Sequence, residues 1–243
     1  MNNLAGSYIA VGEAASAMMI LQETLTLRQR RMKAEPRNRA EQSCLAWTHG
    51  QMGEAERARL DYAAAARAYA RSVEMFEKLD QAGALKDPTF RGRMSGYRQW
   101  LPLCRKAEQA VKDLDFALQQ PAQEVPQLLN MRVRSLLKGQ KLAAAAESAA
   151  KMKERAGDKA KQLYDAACAY ALCAGAAKQA KSSVAGAPGF EKLTEEALAL
   201  LKQAVAKGFK NAAHMKQDKD LDALRARVDF QKLLAKLEAA KKN

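Results

Sequence analysis

Histidine is almost missing from this chain. In 243 residues only His49 and His214 occur, far apart and neither with a triad or metal partner in its vicinity. Hydrolase chemistry built on a serine–histidine couple and histidine-ligated metal centres therefore have little to stand on. Cysteine is also sparse: Cys44, Cys104, Cys168 and Cys173 lack the two-residue spacing that builds zinc or redox sites. They read as free thiols acting as small hydrophobes. Gly92, Gly96 and the pair Gly186 and Gly189 lack the strand-then-helix context, and the following Lys-Ser/Thr, that make a phosphate loop. Asp218, Asp220, Asp222 and Asp229 imitate a calcium loop, but Ala223 stands where such a loop needs glycine, so no metal and no cofactor is expected. The longest apolar stretch, around Ala14 to Leu21, is too short to cross a bilayer and contains Ser16. With no basic-then-apolar signal at the N-terminus, the cytoplasm is the default location and no membrane role is expected. Strand-period alternation is absent and aromatics make up 6%, while alanine abounds within a 48% hydrophobic content. An all-α protein with a narrow core of small residues follows.

What the chain does have is repetition. Leu163, Ala166, Ala167 and Tyr170, answered after an insertion by Ala197 and Leu201, set small residues where two helices cross and bulky ones beside the crossing. A second copy runs from Leu45-Ala46-Trp47 through Met52-Gly53-Glu54 to a short turn at Arg59-Leu60-Asp61-Tyr62, then Ala65 and Tyr69 four apart. A degraded copy precedes it, with Leu4-Ala5, Tyr8 and Val11-Gly12-Glu13 matching the second at an offset of 41. These patterns resemble tetratricopeptide (TPR) repeats, which predicts a right-handed αα-superhelix, a TPR-like solenoid.

Between Gly12 and Ala17 the first copy has no room for the second copy's turn, so a single long helix is expected from about Leu4 to Lys33, ended by Glu35-Pro36. Unpartnered, it exposes Met18, Ile20, Leu21, Leu25 and Leu27 and offers a surface for homodimerisation. The whole chain reads as one helical-repeat domain. After the N-terminal helix (1–36) come units at 41–82, 86–120, 125–156 and 159–208, and a polar C-terminal cap at 209–243. Asp87-Pro88 starts the 86–120 arm, which Pro102 is expected to kink or interrupt. In the next pair Leu129, Val133 and Leu136 face Ala145, Ala149 and Met152 around Gly139. A loop insertion is expected at about 174–191, marked by Ser182-Ser183 and Gly186-Ala187-Pro188-Gly189. Asp229 is expected to cap a last helix reaching about Lys242.

A formal charge of +14, densest from Arg28 to Arg39, favours an acidic or phosphorylated protein or peptide partner. Nucleic acid is the less favoured alternative, because no compact reading motif accompanies the basic residues. The A helices of a solenoid line its concave face, and helical stepping puts Trp47, Glu54, Arg57 and Ala58 there in one unit, and Lys161, Tyr164, Cys168, Ala171 and Leu172 in the other. Trp47 and Tyr164 are candidate apolar anchors, with Arg57 and Lys161 candidate partners for carboxylate or phosphate.

Three stretches carry a more specific likeness. Tyr164 to Leu172, Asp113-Leu114-Asp115-Phe116-Ala117-Leu118, and the ending from Ala212-Ala213-His214-Met215 through Asp220-Leu221-Asp222-Ala223-Leu224-Arg225 to Asp229-Phe230 resemble the C-terminal TPR regions of serine/threonine protein kinases of planctomycete bacteria. The resemblance implies the interaction arm of such a kinase, or a stand-alone descendant of it, and no catalysis, since the chain has no kinase glycine loop, no His-Arg-Asp and no Asp-Phe-Gly. No catalytic residue is carried over.

Overall fold

The computed structural model describes residues 1–180 and 188–239. Those residues are helical throughout, with no strand among them, and neighbouring helices pack in sequence order. No helix among them is long and apolar enough to cross a membrane. The contacts divide the chain into two units, Met1–Gln109 and Ala110–Asn243.

The first unit opens with α1 (Asn2–Ala10) and α2 (Ala14–Ala34), so the single helix expected from Leu4 to Lys33 is two. The break has a local cause. Gly12 takes φ +87°, a left-handed conformation that glycine adopts without penalty. The Glu13 amide then donates to Tyr8 O, and the Gly12 amide to Ile9 O. This nested pair of hydrogen bonds is the Schellman ending, which turns the chain out of a helix. α1 folds back so that Ala5, Ala17, Met18 and Leu21 share one cluster with Ala55, and the apolar surface expected to be free is largely covered. Only Leu27 of the five residues named above is among the large exposed hydrophobics. Leu4, Val11 and Met19 of the same segment are exposed as well.

The same ending recurs at Leu60, between α3 (Arg39–Ala58) and α4 (Tyr62–Gln81). Leu60 has φ +62°, Asp61 follows as N-cap, and its carboxylate accepts the Ala64 amide at 2.9 Å. Gly12 thus corresponds to Leu60 and Ala17 to Ala65, an offset of 48 rather than the 41 read from the sequence. The two registers differ by seven residues, close to two helical turns, so an apolar pattern matches nearly as well in either. Ala17 and Ala65, fully buried, mark the crossing of each hairpin. Asn2 holds α1 down: its Nδ2 donates to Thr48 Oγ1 at 3.2 Å, and its carbonyl accepts from Gln51 Nε2 at 2.8 Å. α5 (Pro88–Lys112) runs without interruption through Pro102, with Asp87 accepting the Thr89 amide at 2.8 Å. It lies on α4 through Phe90 against Phe76 and through Arg98–Glu77 and Arg91–Asp80 pairs.

In the second unit the expected arm to Gln119 breaks at Asp113, which caps the short α6 (Leu114–Leu118) by accepting the Phe116 amide. α7 (Val125–Lys138) and α8 (Leu142–Ala156) form the hairpin read from the sequence. Its turn sits at Gln140, φ +58°, with the same ending again, and Ala145 stands where Ala17 and Ala65 stand. Leu129, Val133 and Leu136 are buried, as are Ala145, Ala149 and Met152. α9 (Ala160–Gln179) and α10 (Phe190–Ala206) complete a further pair. The insertion is shorter than the expected 174–191, because Ala174 to Gln179 continue the helix and Ala174 is buried. Ser182, Ser183, Gly186 and Ala187 lie outside the described residues.

The C-terminal segment consists of α11 (Ala212–Gln217), a 3-10 turn at Lys219–Leu224 and α12 (Val228–Ala239). Lys242 lies outside the described residues. Asp229 sits inside the first turn of α12 and pairs with Arg227 at 2.8 Å, instead of preceding the helix as its cap. This segment is more than a solvated lid, since Met215, Leu221 and Leu224 are fully buried and Phe230 nearly so.

Candidate partner-binding site

The two groups of residues placed on a groove by helical stepping have different fates. In the second unit, Tyr164 is only 3% exposed and Cys168 4%. Phe209 stacks on Tyr164 with ring centres 4.3 Å apart and planes 5° from parallel, and His214 tilts against the other neighbourhood of the ring at 5.5 Å. Tyr164 Oη donates to Asp218 Oδ2 at 2.8 Å, and Cys168 Sγ lies 3.6 Å from the same oxygen. The face of α9 is therefore covered by the chain's own C-terminal segment. Lys161 projects into solvent, paired only along its own helix with Asp165 at 3.1 Å, and Leu172 is half-buried. These four residues do not make one open surface.

Cys168, Asp218 and Asp220 do bring a sulfur and two carboxylates within 4.8 Å of one another, the one such trio among the described residues. Their chemistry is already engaged. Asp220 is bound by Arg134, Asp218 receives the Tyr164 hydroxyl, and the Asp218 carboxylate also accepts the Asp220 amide at 3.0 Å. Burial, with the two carboxylates beside it, pushes the Cys168 thiol well up, so it is held protonated. Burial likewise raises the Asp220 carboxyl, against the pull of Arg134. The trio reads as the clasp that seats the C-terminal segment. Asp222 and Asp229 pair with Arg225 and Arg227, so each aspartate of the apparent calcium pattern has a protein partner.

In the first unit the three predicted residues do share a face, and α5 adds three that the sequence reading missed. Trp47, Glu54 and Arg57 project from α3 toward Arg93, Tyr97 and Trp100 of α5. The Arg57 guanidinium lies 4.0 Å over the Trp100 ring, and that of Arg93 lies 4.2 Å over the Trp47 ring. Beneath them Tyr69 and Tyr97 stack with centres 5.5 Å apart. The stack fits because α3 is glycine where they pass. A methyl group on Gly50 would come within 2.0 Å of the Tyr97 ring, and one on Gly53 within 2.6 Å of Tyr69. Glycine here provides room for close helix approach, the role read for Gly53.

The electrostatics centre on Glu54. Burial raises its carboxyl above the ordinary range, while Arg57 and Arg93 pull it back down. Arg57 Nε donates to Tyr69 Oη at 3.4 Å, and Tyr97's phenol, raised mainly by burial, feels both Glu54 and Arg93. Two buried donors on this face, Trp47 Nε1 and Arg93 Nε, have no acceptor among the described residues, and the buried Tyr97 hydroxyl has the Arg93 guanidinium beside it. The remaining groups singled out in sequence play packing roles. His49 is half-buried with its imidazole lowered by burial and by Arg71, and the free thiols of Cys104 and Cys173 are buried and pushed up to about 11 and about 12. Comparison of the chain with protein-family models, with curated proteins and with solved structures gave no match.

Proposed function

We propose that this chain is a non-catalytic interaction protein, a TPR-like right-handed solenoid of αα-hairpins that holds a peptide segment of a partner on the α3–α5 face. The observation that carries this reading is the composition of that face. The only two tryptophans of the chain, Trp47 and Trp100, are both there and half-buried, each with an arginine on its ring and with tyrosines behind. Tryptophan, tyrosine and arginine in a partly desolvated cluster are the side chains that dominate protein–protein binding energy. The hairpins ending alike at Gly12, Leu60 and Gln140 support the repeat reading. The resemblance to the C-terminal regions of planctomycete kinases supports a role as the interaction arm of a bacterial signalling kinase, working in the cytoplasm. A catalytic role has no convergent acid, base and nucleophile to rest on among the groups described above.

Affinity capture with the intact chain tests the site. Trp100→Ala should lose the captured protein while its far-ultraviolet circular dichroism stays as in the unaltered chain. Equal capture by both would remove this face from consideration. Tyr164→Ala, at the other candidate apolar anchor, reports on folding instead, because Tyr164 is sealed by Phe209 and Asp218.

A further inference from the structure

The α3–α5 face has more donors than acceptors. Arg57 and Arg93 contribute two guanidiniums, each with five N–H groups. Each is laid on an indole, which occupies the flat side of the guanidinium and leaves its N–H edge to point elsewhere. The tyrosine stack sets the spacing: Arg57 is held by Tyr69 Oη, Arg93 lies by Tyr97, and the two phenol rings are neighbours at 5.5 Å. Both arginines thereby act electrostatically on the same carboxylate, Glu54.

A single carboxylate does not match this set. Trp47 Nε1 and Arg93 Nε are buried donors with no acceptor among the described residues, and the Tyr97 hydroxyl, also buried, has beside it the Arg93 guanidinium, itself a donor. Tyr97 is 97% buried, being 3% exposed. Buried donors of this kind carry a desolvation cost that an acceptor with several lone pairs relieves. Among common peptide groups that acceptor is a phosphoryl group, with three oxygens and a charge of about −1.5 to −2. Arginine forks suit it better than lysine points do. A carboxylate from a partner would meet a face where Glu54 already supplies one, leaving a surplus of a single positive charge. The two guanidiniums equal the charge of a phosphoryl dianion.

We infer that Arg57 and Arg93, backed by Trp100 and Trp47, receive the phosphoryl group of a phosphorylated residue in the peptide partner, an inference that rests on the peptide-binding reading above. Single-stranded nucleic acid also carries phosphates, but its readers present bare aromatic faces on which bases stack. Here each indole has an arginine on its face.

Trp47 and Trp100 are the chain's only tryptophans, so tryptophan fluorescence, excited selectively beyond the tyrosine band, reports on this face alone. The full chain is titrated with a degenerate phosphoserine peptide mixture, the same mixture unphosphorylated, the same with aspartate in place of phosphoserine, and a single-stranded oligonucleotide. The expected result is a saturable change with the phosphopeptides, weakened about tenfold by Arg93→Lys and by Arg57→Lys, which keep the charge but lose the fork. Glu54→Gln should tighten binding severalfold. Two lysine variants guard against one of them misfolding, which circular dichroism would reveal. Equal affinity for the unphosphorylated or aspartate peptides overturns the phosphoryl assignment and leaves the peptide reading standing. No response to any peptide overturns both, and an oligonucleotide that binds more tightly than the phosphopeptides overturns the choice of partner.

Discussion

At the scale of single residues, two glycines of the first unit should respond to the same substitution with opposite sign. Gly50→Ala places a methyl group 2.0 Å from the Tyr97 ring, and neither Tyr97, stacked on Tyr69, nor the α3 backbone can give way cheaply. Overpacking of this kind costs about 1–3 kcal/mol or more, outweighing the roughly 1 kcal/mol that alanine gains over glycine within a helix. Gly92, on α5, meets nothing within 4 Å, so Gly92→Ala should keep that gain and stabilise the chain. Urea midpoints of the two variants, one below and one above the unaltered chain, check the pair. Glu54 gives a pH signature. Its carboxyl is raised in the folded state, so the fold binds its proton more readily than the unfolded chain does. The associated stability is fully present below the ordinary value of about 4.5 and is lost as pH rises through the folded-state value. Glu54→Gln should therefore flatten the fall of stability as pH rises above about 4.5 relative to the unaltered chain, as read from urea midpoints; parallel profiles would count against a desolvated carboxylate.

At the scale of elements, a helix is ended by a side chain from another. Arg132 of α7, almost fully buried, donates through Nη1 to the carbonyls of Ala110 and Val111 in the last turn of α5, and through Nε to Ser148 of α8 at 3.0 Å. Its guanidinium is lowered by desolvation, with Glu147 and Asp113 opposing. A cation at a helix C-terminus satisfies carbonyls that have no partner within the helix and complements the dipole. Arg132→Met, similar in length, should destabilise the chain by about 3 kcal/mol, since hydrogen bonds to a charged group are worth roughly 1.5–3 kcal/mol each, discounted for packing kept by the methionine stem. Chemical denaturation measures it. Nothing in sequence marks Arg132 among so many basic residues, and this shows where legibility ends. The hairpins at Leu60 and Gln140 were readable, because their period is local and their caps are local. The long N-terminal helix was misread because a shift of seven residues keeps the apolar face in phase, though Gly12 before a helix start was a signal for an ending. Trp47, Glu54 and Arg57 were legible as one face from the spacing on α3. Arg93 and Trp100 were not, because their meeting with α3 depends on how α5 packs, and α5 shows no repeat motif of its own. Tyr164 and Cys168 fit the groove pattern equally well but are covered by a segment far along the chain.

At the scale of the whole molecule, the charge of +14 and the arginine–tryptophan face make separable claims. Diffuse charge attracts any polyanion, and each phosphate contact it makes releases counterions, so affinity falls steeply with salt whatever the sequence of the nucleic acid. Binding at Arg57 and Arg93 involves one phosphoryl group at a half-buried place, which limits both the number of counterions released and the screening. Duplex DNA should therefore show a steep logarithmic decline of affinity with salt, unchanged by Arg93→Lys, because one altered fork among 41 basic residues hardly changes the field. A phosphopeptide should show a shallow decline, with Arg93→Lys lowering affinity about equally at every salt concentration. Fluorescence anisotropy of labelled duplex and peptide across a salt series measures both slopes. Two steep slopes, both indifferent to Arg93→Lys, would mean that charge alone governs what this chain binds and that its tryptophan face is packing.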